Sequence, residues 1–150
     1  MLKKKYEILH ISSVHPSDDI RIFHKECKSL SKNYKVRFVN RFYSGEIDGI
    51  SFEKIKFFNN KFLRILSSWL IILPISCFGK HKIVHFHDPE LIFATPFWKL
   101  AGKKVIYDIH ENYSKQILTK KLPVLLKNII HYIILGIEIF FSLFIDLIVV

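Results

Sequence analysis

Short apolar runs of strand length alternate along this chain with longer helical segments, and that alternation restricts its fold more than any other feature. Residues 6–12 are strand-like and end in the polar turn Ser13-Val14-His15-Pro16. Ser17 is placed to cap a helix starting near Asp18. Asp18 and Asp19 fall in its first turn, where negative charge complements the helix dipole. Ile20, Phe23, Cys27 and Leu30 recur at helical spacing and predict one buried stripe. Residues 35–40 read as a second strand, which makes a β-α-β unit with a crossover long enough for parallel pairing. Residues 41–49 are polar and turn-like, and residues 55–58 predict a third short strand. Residues 61–78 predict a long apolar helix interrupted by Pro74. A strand over 82–87 follows, then a helix over about 90–100 with Pro89 at its start, Pro96 disturbing it and Gly102 closing it. Residues 103–109 read as a strand, followed by a loop and a long apolar helix over about 123–145. Residues 146–150 look like the opening of one more strand. The pattern predicts an α/β fold with a Rossmann-like, doubly wound parallel sheet.

The chain has 150 residues, half of them hydrophobic, so one domain with a proper core is expected over 1–150. The formal net charge of +10 suits nucleic acid, anionic lipid or a phosphorylated substrate, or simply a lysine-rich surface. The basic residues are dispersed and not interleaved with aromatics, which speaks against a nucleic-acid platform. Cys27 and Cys77 form neither a metal-type pair nor a disulfide framework, and fit a reducing compartment. The basic start, Met1-Leu2-Lys3-Lys4-Lys5, lacks the long apolar stretch and cleavage site of a signal peptide, so a cytoplasmic location is expected. Residues 129–150 are long enough to span a bilayer but contain His131, Glu138 and Asp146. Residues 62–78 are marginal and contain Arg64 and Pro74. Buried or membrane-facing amphipathic helices are the favoured reading of both. The chain stops inside an apparent strand, so further sequence is expected beyond Val150.

Ligands of an open parallel sheet bind beyond the carboxyl ends of its strands. Three polar clusters fall at such ends. His15, Asp18, Asp19 and Arg21 follow the first strand. His85, His87, Asp88 and Glu90 follow the strand over 82–87. Asp108, His110, Glu111 and Asn112 follow the strand over 103–109. Each has a structural alternative. Asp18 and Asp19 serve equally as helix caps, and Arg21 can pair with Glu26 or Asp18 on the surface. His85 and His87 alternate with Phe86 and can share one strand face, one of them as a satisfied core histidine. Asp88-Pro89-Glu90 also reads as a helix-start turn, and Glu111 as a cap.

These segments resemble a known family. His15-Pro16-Ser17-Asp18-Asp19-Ile20-Arg21-Ile22-Phe23, with Lys25-Glu26 and Ser29-Leu30, resembles the first loop and helix of family 4 GT-B glycosyltransferases. His85-Phe86-His87-Asp88-Pro89-Glu90-Leu91 is similar to their fourth-strand signature, and Val105-Ile106-Tyr107-Asp108-Ile109-His110-Glu111 to the strand that follows. Order and spacing agree across essentially the whole chain. The glycine-pair loop seen after strand one in many relatives is replaced by residues 15–21. The resemblance implies the N-terminal, acceptor-side domain of a two-domain enzyme in bacterial surface polysaccharide synthesis. Its C-terminal donor domain would lie beyond Val150, leaving the chain incomplete and inactive alone. It further implies a retaining hexosyltransferase with a nucleotide-sugar donor as substrate, a glycan or polyprenyl-linked acceptor, and neither cofactor nor metal. His110 is expected nearest the reacting sugar. His15, Asp19, Arg21, His87, Asp88 and Glu90 would shape the acceptor site, and Asp108 and Glu111 would support the cleft. Glycosyl transfer develops positive charge on the sugar and negative charge on the leaving phosphate, which such groups can orient and stabilise. The positive charge and the apolar residues 62–78 suit a peripheral enzyme at an anionic inner membrane face. Two rival readings are a metal-dependent hydrolase, with His85, His87, Asp88, His110 and Glu111 as ligands for Zn or Mn, and a non-catalytic binding module or remnant.

Overall fold

The structure, a computed structural model, describes residues 7–56, 58, 60–109 and 113–150; of residues 61, 62, 64, 65, 67, 68, 113, 114 and 116 it describes the backbone alone. The described strands are β1 (Glu7–Ile11), β2 (Lys35–Asn40), β3 (Gly45–Ile47), β4 (Ile50–Lys54), β5 (Ile83–Phe86), β6 (Lys104–Asp108) and β7 (Leu147–Val149). They form one sheet in the order β3-β4-β2-β1-β5-β6-β7. Every pairing is parallel except β3 with β4. With β3 set aside, the parallel strands follow the order 3-2-1-4-5-6, which is compatible with a Rossmann-like fold. The order reverses between β1 and β5, the position at which open sheets of this kind leave a crevice beyond the carboxyl ends of their strands.

Side-chain alternation assigns the two faces of the sheet. Leu9, Ile11, Val84, Phe86, Val105 and Tyr107 enter one apolar cluster, covered by α2 (Lys61–Phe78), a 3-10 turn (Pro89–Ala94) and α3 (Thr95–Leu100). Val36, Phe38, Ile50 and Phe52 enter a second, covered by a π-helix (Ile20–Cys27) that runs on into α1 (Lys28–Ser31). The chain continues through α4 (Tyr113–Leu118) and α5 (Val124–Ser142).

Several local expectations are corrected. Asp19, not Ser17, caps the first helix, because its carboxylate accepts from the Arg21 and Ile22 amides, both at 2.9 Å. The helix opens in π form, with His24 N–H reaching Asp19 O. That changes the face it presents: Ile22, Phe23 and Cys27 are buried, whereas Ile20 is 72% exposed. The third strand is Ile50–Lys54, not residues 55–58. It pairs with β3, which lies within the segment read as a turn. Asp48 and Gly49 both have positive φ (54° and 74°), as a tight hairpin turn requires. Pro74 does not divide the helix; α2 is one element, while Pro96 sits in the first turn of α3, where a missing N–H costs little. Gly102 does close α3, at φ 72°. The loop expected after β6 contains α4. Residues 129–150 are not a single span, since α5 ends at Ser142 and β7 pairs with β6. α5 itself, at 19 residues with mean hydropathy 1.8, has the length and composition to cross a membrane.

Candidate functional site

The polar residues of interest meet at the carboxyl ends of β1, β5 and β6, beside the point where strand order reverses. Register does the first part of the work. His10 of β1 stands directly opposite His85 of β5. Two residues further, His87 lies on the same face. The three rings pack with centroids 4.5 Å (His10–His85), 4.7 Å (His85–His87) and 5.4 Å (His10–His87) apart. All three are buried. His10 Nδ1 lies 3.1 Å from His87 Nε2, and His87 Nδ1 lies 3.2 Å from Asp108 Oδ2 at the end of β6. Carboxylates only accept, so His87 donates from Nδ1 and presents the Nε2 lone pair.

The π-helix supplies the opposite wall. In an α-helix, positions five apart stand about 140° apart around the axis. The wider π turn brings them to the same side, and Arg21 Nε lies 3.6 Å from Glu26 Oε1. Arg21 also pairs with Asp108 through its Nη2. Glu26 Oε2 lies 3.8 Å from His85 Nε2, 3.9 Å from His87 Nε2 and 4.0 Å from His10 Nδ1. Burial, and then the negative charge of Asp108, push the Glu26 carboxyl up to about 8 against the pull of Arg21. Burial, with His85 and His87 alongside, holds His10 well below the ordinary histidine range.

A second group sits at the rim. Ser13 donates from its backbone N–H (2.5 Å) and hydroxyl (3.2 Å) to Asp88 Oδ2, and the same hydroxyl lies 2.6 Å from Glu90 Oε1. His15 stands between Asp19 Oδ2 at 3.4 Å and Asp88 Oδ1 at 3.8 Å. Burial raises the Asp88 pKa against the opposing Ser13 amide. For Asp19 the Ile22 and Arg21 amides outweigh a smaller exposure to burial than Asp88 suffers, and its pKa is lowered.

The structure therefore gathers His15, Asp19, Arg21, His87, Asp88, Glu90 and Asp108 into one connected group at the carboxyl ends of the strands. His110 and Glu111 lie outside the described residues. Arg21 does pair with Glu26, as the surface alternative had it, yet it also reaches Asp108 across the sheet. Sequence reasoning left out His10 and Ser13 and gave Glu26 no part in the site. His10 offered one signal, a histidine between Leu9 and Ile11 in a strand whose other residues are largely apolar. Only the strand register shows that it faces His85. Beside Arg21 opens a largely apolar cavity of about 590 Å³, lined also by Tyr107, Ile109, Leu135, Ile139 and Ile148. Compared with known proteins, the chain matches no model of a protein family and no curated protein.

Proposed function

We propose that this chain is the acceptor-side domain of a family 4 GT-B glycosyltransferase, which transfers a sugar from a nucleotide-sugar donor to a glycan or lipid-linked acceptor. One observation carries the reading. The three segments that resemble the family lie apart in sequence, yet meet at one edge of the sheet, the first reaching the third through Arg21–Asp108 and the second through His15–Asp88. Paired carboxylates and imidazoles at such an edge can hold sugar hydroxyls in a reactive orientation. The apolar cavity beside Arg21 suits the first units of a polyprenyl chain, with its phosphate toward the guanidinium. The net charge of +10 fits work at an anionic membrane face. His110 is assigned to the reacting sugar, and the donor domain to sequence beyond Val150.

The test uses the complete enzyme with a panel of nucleotide sugars and a polyprenyl-phosphate-linked glycan. Acceptor-dependent release of the nucleoside diphosphate is expected. Arg21→Ala should lower turnover by about 100-fold, the usual cost of misplacing a substrate by an ångström. His110→Ala should abolish transfer with an unchanged circular dichroism spectrum. Normal turnover in both variants would remove the proposed roles, and absence of transfer across the panel would remove the reading.

A further inference from the structure

The His10, His85, His87 and Glu26 group does something that glycosyl transfer does not require of it. One donor atom from each of the four lies within 4.8 Å of the donor atoms of the other three. The individual separations are 3.1, 3.8, 3.9 and 4.0 Å for the pairs given above. Four ligands placed about 2.0–2.2 Å from a tetrahedral zinc ion stand about 3.4 Å apart, so the three edges from Glu26 shorten by about half an ångström and the His10–His87 edge lengthens by a few tenths. We propose that these residues form a divalent transition-metal site of the zinc class, with His10 Nδ1, His85 Nε2, His87 Nε2 and Glu26 Oε2 as ligands.

Three further observations support it. First, the histidines are buried and Glu26 half-buried, and Glu26 Oε2, the oxygen facing them, has no hydrogen-bond partner among the described residues. Second, outer partners are in place. Asp108 accepts a hydrogen bond from His87 Nδ1–H and leaves the Nε2 lone pair facing inward, the carboxylate–histidine–metal arrangement. Arg21 stands on the outer oxygen of Glu26 and leaves Oε2 to the histidines. Third, the carboxyl groups of Glu26 and Asp108 both reach this histidine cluster, at 3.9 Å and 3.2 Å from His87, so a bound cation would meet both. Ligation uses the Nε2–H tautomer of His10, so its proton moves from Nδ1 to Nε2 as metal enters.

Three imidazoles and a carboxylate select zinc, cobalt, nickel or copper over magnesium or calcium. Four protein ligands leave no open position for water, so this site is structural rather than hydrolytic. Its effect is to tie the π-helix to β1 and β5, which holds Arg21 against Asp108 at the carboxyl ends of the strands. The ligand set differs from the one the hydrolase reading expected, since Asp88 is engaged with Ser13 and stands outside it. It also departs from the metal-free fold that the family resemblance implies.

The experiment uses the untagged chain, stripped with EDTA and titrated with Co²⁺, followed by visible absorption and by thermal melting in Zn²⁺. One equivalent of Co²⁺ should bind with the intense bands of tetrahedral coordination, and one equivalent of Zn²⁺ should raise the Tm. X-ray absorption of the zinc form should show three imidazoles and one oxygen. His85→Gln and Glu26→Gln should each weaken binding at least 10-fold. Asp108→Asn should weaken it 10- to 100-fold, the usual cost of removing an outer partner. His24→Gln, at an exposed histidine of the same helix, should bind as the parent does. Sub-stoichiometric binding, weak octahedral bands, a different first shell, or unchanged affinity in both ligand variants would overturn the site. The stoichiometry and shell are read on the parent protein, so the outcome stands even if a variant fails to fold. None of these readouts depends on glycosyl transfer.

Discussion

Buried polar side chains gather at both ends of the sheet, and the two groups are built differently. At the amino ends of β5 and β6, donors end on acceptors. Trp98 Nε1 donates to Ser76 Oγ at 2.6 Å, Ser76 Oγ to Ile72 O at 2.5 Å, and His81 Nε2 to Ser76 O at 2.7 Å. Lys103 Nζ donates to the carbonyls of Gly79 (2.7 Å) and His81 (2.8 Å), and only His81 Nδ1 is left over. At the carboxyl ends, imidazole faces imidazole and the Glu26 carboxylate shares space with Asp108. A satisfied buried hydrogen bond adds about 1 kcal/mol, whereas an orphaned group costs about 1–3 kcal/mol. The amino-end group thus serves the fold, and the carboxyl-end group gives up stability at the edge where open parallel sheets characteristically bind ligands.

The largest effect separating the two ends is expected at Trp98. It is fully buried, packs on Phe86 with ring centroids 5.3 Å apart, and carries the Ser76 bond. Trp98→Ala should cost about 3–5 kcal/mol in urea unfolding, through the cavity left and the loss of the Ser76 partner. A loss below about 1 kcal/mol would show that the amino-end group is not what holds this half of the sheet.

The next effect is a pH dependence. Burial foremost, with Lys103 and Arg37 adding to it, holds His81 down to about 4. Its unfolded value is about 6.5, so between pH 6.5 and 4 the unfolded chain takes up a proton that the folded chain refuses. The contribution is therefore complete above pH 6.5 and declines as pH falls toward 4. At about 1.4 kcal/mol per unit, this amounts to about 3 kcal/mol. The difference between the parent and His81→Gln, measured by denaturant unfolding across that window, should isolate the slope; parallel curves would contradict it.

The same contrast explains what could be read before any coordinates. The strands over 35–40, 82–87 and 103–109 were legible because each is a short apolar run bounded by turn residues. The polar strand ends were legible because His and carboxylate break those runs abruptly. The β3–β4 hairpin was legible too, in Asp48-Gly49, but the polar residues around it masked the signal. The π-helix was not: Ile20, Phe23, Cys27 and Leu30 satisfy the α period, and only the added residue per turn buries Ile22 and turns Arg21 toward Glu26. His10 was hidden for a different reason. Its neighbour is chosen by the register of β1 on β5, a tertiary property that no local pattern encodes.

The smallest effect is the one that most sharpens the contrast, at Glu26. Among the described residues its Oε2 has no hydrogen-bond partner, and its Oε1 has Arg21 at 3.6 Å, beyond normal hydrogen-bond length. Its nearest like charge is Asp108, which pushes its pKa upward after burial does. With its pKa raised to about 8 the Glu26 carboxyl is largely protonated at neutral pH, so Glu26→Gln exchanges one neutral group for another of the same shape. In EDTA, where no metal contributes, the variant should unfold within about 1 kcal/mol of the parent, on either side. The amino-end group admits no such exchange, because Trp98, His81 and Lys103 each donate to a named acceptor. A destabilisation above about 2 kcal/mol would mean that Glu26 anchors the π-helix by itself. The two ends of the sheet would then be alike, and the carboxyl-end cluster would no longer stand out as a binding site.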